Sequence, residues 1–257
     1  MSSERQGGGR LPGAPVAVVT GAGRGIGRAI CLALARDGAD VVASDIDLDG
    51  ARETAGMVAG LGRRGHARQT DVASEEQIVA LIGGTVRDHG RIDVLVNNAG
   101  VVRLCPILEL TAEQWDRTMA INLRGTFLAS REALRAMCGQ KHGKIVSISS
   151  LSAKIGGYAA PADYSASKAG IITLTKSLAL AGAAHGVNVN AVAPGPVDTD
   201  LTRAWGEDVN ADFAANIPFR RYGTAEEVAD AVAFLASDRA SYITGEIIDV
   251  NGGFLMD

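Results

Sequence analysis

The chain has 257 residues, of which 47% are hydrophobic and 21% charged, with a formal net charge of −4 at pH 7. That balance lacks the basic footprint of a nucleic-acid binder, and no apolar run approaches the ~20 residues needed to span a bilayer. Cys31, Cys105 and Cys138 are scattered without C-x-x-C spacing and the four histidines lie far apart, which argues against a metal site and for reduced thiols in a cytoplasmic compartment.

Residues 1–14 read as a flexible N-terminal tail, with neither the apolar core of a signal peptide nor an Arg-rich amphipathic pattern. From there, β-branched runs alternate with longer segments of helical period. In chain order, VAVVT, DVVASD, HARQTDV, IDVLVN, GKIVSISS, VNVNAVA and EIIDV make seven strand candidates. Helical segments are predicted near 25–37, 48–61, 74–89, 111–138, 161–185 and 224–237, with Gly38, Gly62, Gly90 and Gly186 as plausible stops. This alternation predicts an α/β fold with βαβ crossovers, a parallel sheet and helices on both faces. Without a linker or repeat after the tail, residues 15–257 read as one domain.

At the first strand-to-helix junction, TGAGRGIG places Gly21, Gly25 and Gly27 in a G-x-x-x-G-x-G register. Glycines there permit a tight turn and the close approach of a phosphate to backbone N–H groups at a helix start. Asp45 ends the second strand about twenty residues on, where a dinucleotide site needs a carboxylate for the adenosine ribose. The plainer alternative is a solvated turn, which better describes Asp47 and Asp49. Tyr164 and Lys168, four apart in DYSASKAG, share a helix face. They are either a surface pair or a phenol whose pKa an ammonium lowers towards the range for proton exchange with an alcohol. KIVSISS adds serines at the end of the fifth strand, on the ligand side of the sheet.

Taken together, TGAGRGIG, Asp45, Asp71 with Val72, NNAG at Asn97 to Gly100, Asn122, Ser150, Tyr164 with Lys168, and PGPVDT at Pro194 to Thr199 resemble the short-chain dehydrogenase/reductase family, over roughly residues 15–253. The resemblance implies a single Rossmann-type doubly wound domain and a set of roles. Tyr164 would be the general acid/base, Lys168 would lower its pKa and hold the nicotinamide ribose, Ser150 would bind the substrate oxygen, and Asn122 would anchor a proton-relay water. Gly21, Arg24, Gly25, Ile26 and Gly27 would form the phosphate turn; Asp71 and Val72 would meet adenine, with a strand-end cap as the alternative for Asp71. Asn98, Ala99, Gly100, Pro194, Gly195, Val197 and Thr199 would line the remainder of the cofactor.

Two departures stand out. The interval from Ser150 to Tyr164 is longer by a single residue than in many members, around Gly156 to Tyr158, which makes Ser152 a weaker candidate for the hydroxyl role than Ser150. Ala181 and Gly182 occupy positions that many members give to an acidic and a larger apolar residue. Helix 161–185, rich in Ala, Gly and Ser, has more apolar surface than one sheet face covers; with 111–138 it fits the family's common homotetramer.

The expected function is NAD(H)-dependent interconversion of a secondary alcohol and a ketone. An NADPH-dependent 3-oxoacyl-carrier-protein reductase is the alternative; Asp45 opposes it, as does His185 where those reductases commonly place a basic residue. Arg24 points weakly to NADP. A catalytically silent nucleotide sensor is the non-enzyme reading. Val102 to Leu104, Ser152 to Tyr158 and the segment 200–222, with Trp205, Phe213, Phe219 and Tyr222 as a lid, are candidate substrate walls. Arg103 would meet a polar or anionic substrate or lie in solvent.

Overall fold

The computed structural model describes residues 13–156, 161–199, 202 and 214–256. The valine-rich runs become the strands β1 (Val16–Thr20), β2 (Asp40–Asp45), β4 (Val94–Asn97), β5 (Gly143–Ile148) and β6 (Val187–Pro194), with β3 (Gly65–Gln69) and β7 (Ile247–Val250) at the two edges. All six pairings are parallel, in the order β3-β2-β1-β4-β5-β6-β7. This is a Rossmann-like sheet with helices on both faces.

Successive strand residues point to opposite faces, so each strand feeds two cores. Ala17 and Val19 of β1 join Ile30 and Leu34 of α1 (Gly25–Arg36), Val58 of α2 (Leu48–Gly60) and Val228 and Val232 of the last long helix, Ala225–Ala236. Val18 joins Ile78 and Leu81 of α3 (Glu75–His89), and on the same face lie Leu128 and Met137 of α5 (Gly125–Gln140) and Leu178 of α7 (Ala162–Ala183). Strands buried on both sides explain why their sequences are continuously apolar. The order reverses between β1 and β4, which opens a crevice at their carboxyl ends.

The helix expected at 111–138 is interrupted. α4 (Ala112–Thr118) passes into a π-helical turn, Met119–Arg124, before α5 begins at Gly125. The wider turn accommodates Asn122, which is fully buried, and the tight approach of Gly125 to β3's following turn, where a Cβ would lie 2.8 Å from the Val72 carbonyl oxygen. The third strand also ends earlier than HARQTDV suggests. Asp71 Oδ1 accepts from the amide of Ala73, and the Ser74 amide donates to the Asp71 carbonyl, so Asp71 and Val72 sit in a turn. Beyond β5, a short helix α6 (Ser152–Ile155) precedes Gly156 at φ +78°. The helix at Ala225–Ala236 is hereafter α8.

Candidate active site

The glycine turn is built for close approach. Gly21 and Gly25 have φ of +64° and +52°, a left-handed region that favours glycine. A Cβ on Gly27 would collide with the Gly21 carbonyl oxygen. Side chains cap α2, α3, α4 and α8 through Asp47, Ser74, Thr111 and Thr224, but none caps α1, which starts at the turn. Its first amides, with Ile26 half-buried beside them, are thus left for an anion, as a dinucleotide diphosphate requires.

Asp45 is fixed at the end of β2: Oδ2 accepts from the Gly23 amide at 2.8 Å and Oδ1 from the Asp47 amide at 3.0 Å. Each oxygen keeps acceptor capacity for a ribose hydroxyl. Arg24 is exposed, with no ion pair among the described residues. The other nearby guanidinium, Arg28, is held by Glu53 at 2.7 Å and by the Gly23 carbonyl. These features fit an adenine dinucleotide.

The rest of the cofactor-side motifs converge on the same crevice. Asn98 Nδ2 donates to the carbonyls of Thr20 (3.1 Å) and Gly21 (2.9 Å), while Thr20 Oγ1 accepts from the amides of Asn98 and Ala99. Gly100 faces the catalytic group; a Cβ there would lie 3.3 Å from Asn122 Oδ1 and 3.5 Å from Lys168 Nζ. Pro194 closes β6, the Gly195 amide donates to the Val250 carbonyl, and Val197 is buried in a bridge with Gly223. Thr199 reaches the turn, its Cγ2 being 3.9 Å from where a Gly25 Cβ would stand. Asp71 Oδ1 accepts from the Ala73 amide within its own turn while Val72 is buried against Gly125, an arrangement that serves the capping role and keeps Oδ2 for an adenine contact.

At the centre, Ser150 hydrogen-bonds the Tyr164 hydroxyl and receives the amide and hydroxyl of Ser152 at 3.2 and 3.0 Å. Lys168, 4% exposed, donates to the Ile148 carbonyl at 2.7 Å, with its ammonium 5.6 Å from the Tyr164 ring centroid. Burial pushes its pKa down to about 8. The lowered phenol expected from the Tyr–Lys spacing is not found in the protein alone. Burial raises Tyr164, and the Ser150 hydrogen bond only partly opposes it. The physical reason is that burial strips solvent from the phenol, while the Lys168 ammonium directs an N–H to the Ile148 carbonyl and stands 5.6 Å from the ring centroid.

Asn122 braces this centre. Its Oδ1 accepts from the Val101 amide at 2.8 Å; its Nδ2 donates to the Val101 carbonyl at 2.9 Å and to Ser167 Oγ at 3.1 Å. The side chain is therefore committed, and its backbone carbonyl accepts the Thr126 hydroxyl at 2.7 Å. Several contributors receive no role in the motif reading: Thr20 and Ser167, which lie inside TGAGRGIG and DYSASKAG, and Thr118, which donates to buried Asp163 at 2.6 Å and ties α4 to α7. Thr118 carries no sequence signal of its own. Arg103 and Leu104 are exposed, Phe219 is 70% exposed, and Tyr158, Trp205 and Phe213 lie outside the described residues.

Comparison with known proteins converges on the same chemistry. The family model described as enoyl-(acyl carrier protein) reductase matches residues 21–255. The chain is 42% identical over 241 residues to the 3-oxoacyl-acyl-carrier-protein reductase FabG of Escherichia coli (strain K12), covering 94% of this chain and 97% of the relative. It is 44% identical over 240 residues to the cis-4-hydroxycyclohexanecarboxylate dehydrogenase of Sinomonas cyclohexanicum, covering 93% and 96%. A crystal structure assigned as a short-chain alcohol dehydrogenase from Sinorhizobium meliloti 1021 superposes with a TM-score of 0.89 at 37% identity, over 93% of this chain and 96% of that one.

Proposed function

Since the chain belongs to the short-chain dehydrogenase/reductase family and is an oxidoreductase acting on CH–OH groups, we propose that it interconverts a secondary alcohol and a ketone with NAD(H), using Tyr164 as general acid/base. Residues 15–257 act as one dinucleotide-binding catalytic domain, in the cytoplasm, assembled as a homotetramer. The observation that carries the reading is the junction of Ser150, Tyr164 and Lys168 at the carboxyl end of β5, within reach of the Gly100 backbone.

The nicotinamide cofactor supplies hydride transfer when bound. The chain's own residues handle the proton and the geometry. Ser150 orients the substrate oxygen, Tyr164 Oη takes or gives the hydroxyl proton, and Lys168 holds positive charge beside the phenol. Asn122 fixes the Asn98–Val101 loop against α7 so that these groups keep their spacing.

For cofactor choice, Asp45 supports NAD(H). A 2′-phosphate beside this carboxylate meets repulsion of about 1 kcal/mol even at water-like dielectric, and more where partly buried. Arg28 is already engaged with Glu53, and among the described residues of the glycine turn exposed Arg24 is left to offset that repulsion. The names of the FabG relatives favour a second reading, reduction of a 3-oxoacyl thioester.

One panel tests these readings: cyclohexanol, cis-4-hydroxycyclohexanecarboxylate, their ketones and a 3-oxoacyl thioester, each with NAD(H) and NADP(H). NAD(H) is expected to be preferred by at least ~30-fold in kcat/KM, about 2 kcal/mol. Asp45→Ala erodes the preference. Tyr164→Phe lowers turnover at least ~100-fold with little change in NADH affinity. A wild-type preference for NADPH with the thioester would replace the first reading with the second.

A further inference from the structure

A serine hydroxyl has one proton to donate and two lone pairs to fill. At Ser150 both lone pairs are met from one neighbour: the Ser152 amide donates at 3.2 Å and the Ser152 hydroxyl at 3.0 Å. The Ser150 proton is then left for the Tyr164 oxygen with which it is hydrogen-bonded. We propose that Ser152 is a positioning residue acting through Ser150: by filling its second lone pair it fixes Ser150 as a donor, towards Tyr164 in the free protein and towards the substrate oxygen once that is bound. This rests on the reading of Tyr164 as the general acid/base.

The turn that carries Ser152 is anchored well enough to hold such a contact. The amide of Leu151 donates to the Pro194 carbonyl at 2.8 Å, tying the start of α6 to the end of β6. Lys154 pairs with Asp249 of β7, with side-chain exposures of only 18% and 20%. α6 is thereby fastened to two adjacent strands, ending at Gly156 with φ +78°.

The consequence is chemical. A hydroxyl that donates to Tyr164 stabilises phenolate, whereas one that rotates to accept from Tyr164 stabilises the neutral phenol. With the Ser152 amide and hydroxyl both donating to Ser150, the first arrangement is favoured; the second requires the Ser152 hydroxyl to turn and accept from Ser150 instead. Removing the Ser152 hydroxyl frees a lone pair on Ser150 and allows the second, so the Tyr164 pKa must rise.

The test is a titration of the tyrosinate absorption band in the full chain without cofactor or substrate. Subtracting the Tyr164→Phe variant isolates Tyr164. Ser152→Ala is expected to raise the midpoint by about half a pH unit or more, the scale of one ordinary hydrogen bond. Ser152→Thr restores it. Ser150→Ala also raises it, and adding Ser152→Ala to that variant brings no further shift, because the path runs through Ser150. Coincident midpoints for Ser152→Ala and wild type, or an additional shift in the double variant, would overturn the proposal. Turnover of Tyr164→Phe on the best alcohol of the panel is read separately. Lost turnover without a Ser152→Ala shift removes the positioning role alone; retained turnover removes Tyr164 as the acid/base.

Discussion

Lys168 is buried with its ammonium on the Ile148 carbonyl, and none of the ion pairs among the described residues includes it. Burial therefore disfavours its charged form and brings the pKa from 10.5 to about 8. A lysine depressed in this way binds its proton less tightly folded than unfolded. The resulting penalty is fully present below about pH 8 and is relieved as pH rises towards 10.5. The shift corresponds to roughly 2–4 kcal/mol. Replacing Lys168 by Met removes the titration, while the lost bond to Ile148 costs the same at every pH. The stability of wild type relative to Lys168→Met should consequently rise by that order between pH 8 and 10.5, as read by denaturant unfolding at both ends of the window. Parallel stabilities across it would mean that the ammonium is stabilised by a partner as good as water. The same residue illustrates a trade common at reactive centres: a group held near its working pKa is held at the expense of the fold.

At the scale of elements, the π-helical turn Met119–Arg124 links three parts of the site. It turns Asn122 inward to bond Val101 and Ser167, it brings Gly125 against Val72, and it follows Thr118, the tether to Asp163. Removing the amide leaves the part-buried Val101 N–H and C=O and the Ser167 hydroxyl without their side-chain partner. Each such loss is worth about 0.5–1.5 kcal/mol. Asn122→Ala is expected to destabilise by roughly 2–4 kcal/mol, a fall in Tm on the order of 5–12 °C for a chain of this size. NADH affinity should fall with it, since the freed loop carries Ala99 and Gly100. Thr126→Val removes only the hydroxyl on the Asn122 carbonyl and should cost less than half as much. Calorimetry of the two variants, with NADH titrations, checks the ranking; an Asn122→Ala protein with wild-type Tm would show that other contacts hold the turn.

Across the whole molecule, what could be read from the sequence was what local physics repeats. Valine-rich strands must be buried on both faces, so β1, β2, β5 and β6 were visible as runs, and their alternation with helical periods implied a parallel sheet, though not its strand order. Gly21 and Gly25 were legible because their positive φ is a demand that few residues meet. The π turn was not, because one widened turn leaves a helical pattern on either side intact. Nor was the raised phenol of Tyr164, since spacing reports which side chains are neighbours and not how much solvent each has lost. The contact of Ser152 with Ser150 depends on anchoring by β6 and β7, distant in sequence. One feature of the surface ties back to the sequence pattern. Leu180 of α7 is 83% exposed, Phe127 of α5 39% and Trp115 of α4 37%, so the helices expected to pair between subunits do present apolar side chains to solvent. Single exposed apolar residues are ordinary, but three on elements that neighbour one another favour burial by another copy. For the homotetramer proposed above, light scattering coupled to gel filtration should report about four times the 26.5 kDa chain mass. Leu180→Glu combined with Phe127→Glu should shift the population to smaller species, because a charge placed in an apolar interface loses its hydration without a partner. A wild-type monomer at assay concentration would overturn the tetramer, whereas a dimer that the double variant leaves intact would move the interface to another face of the molecule.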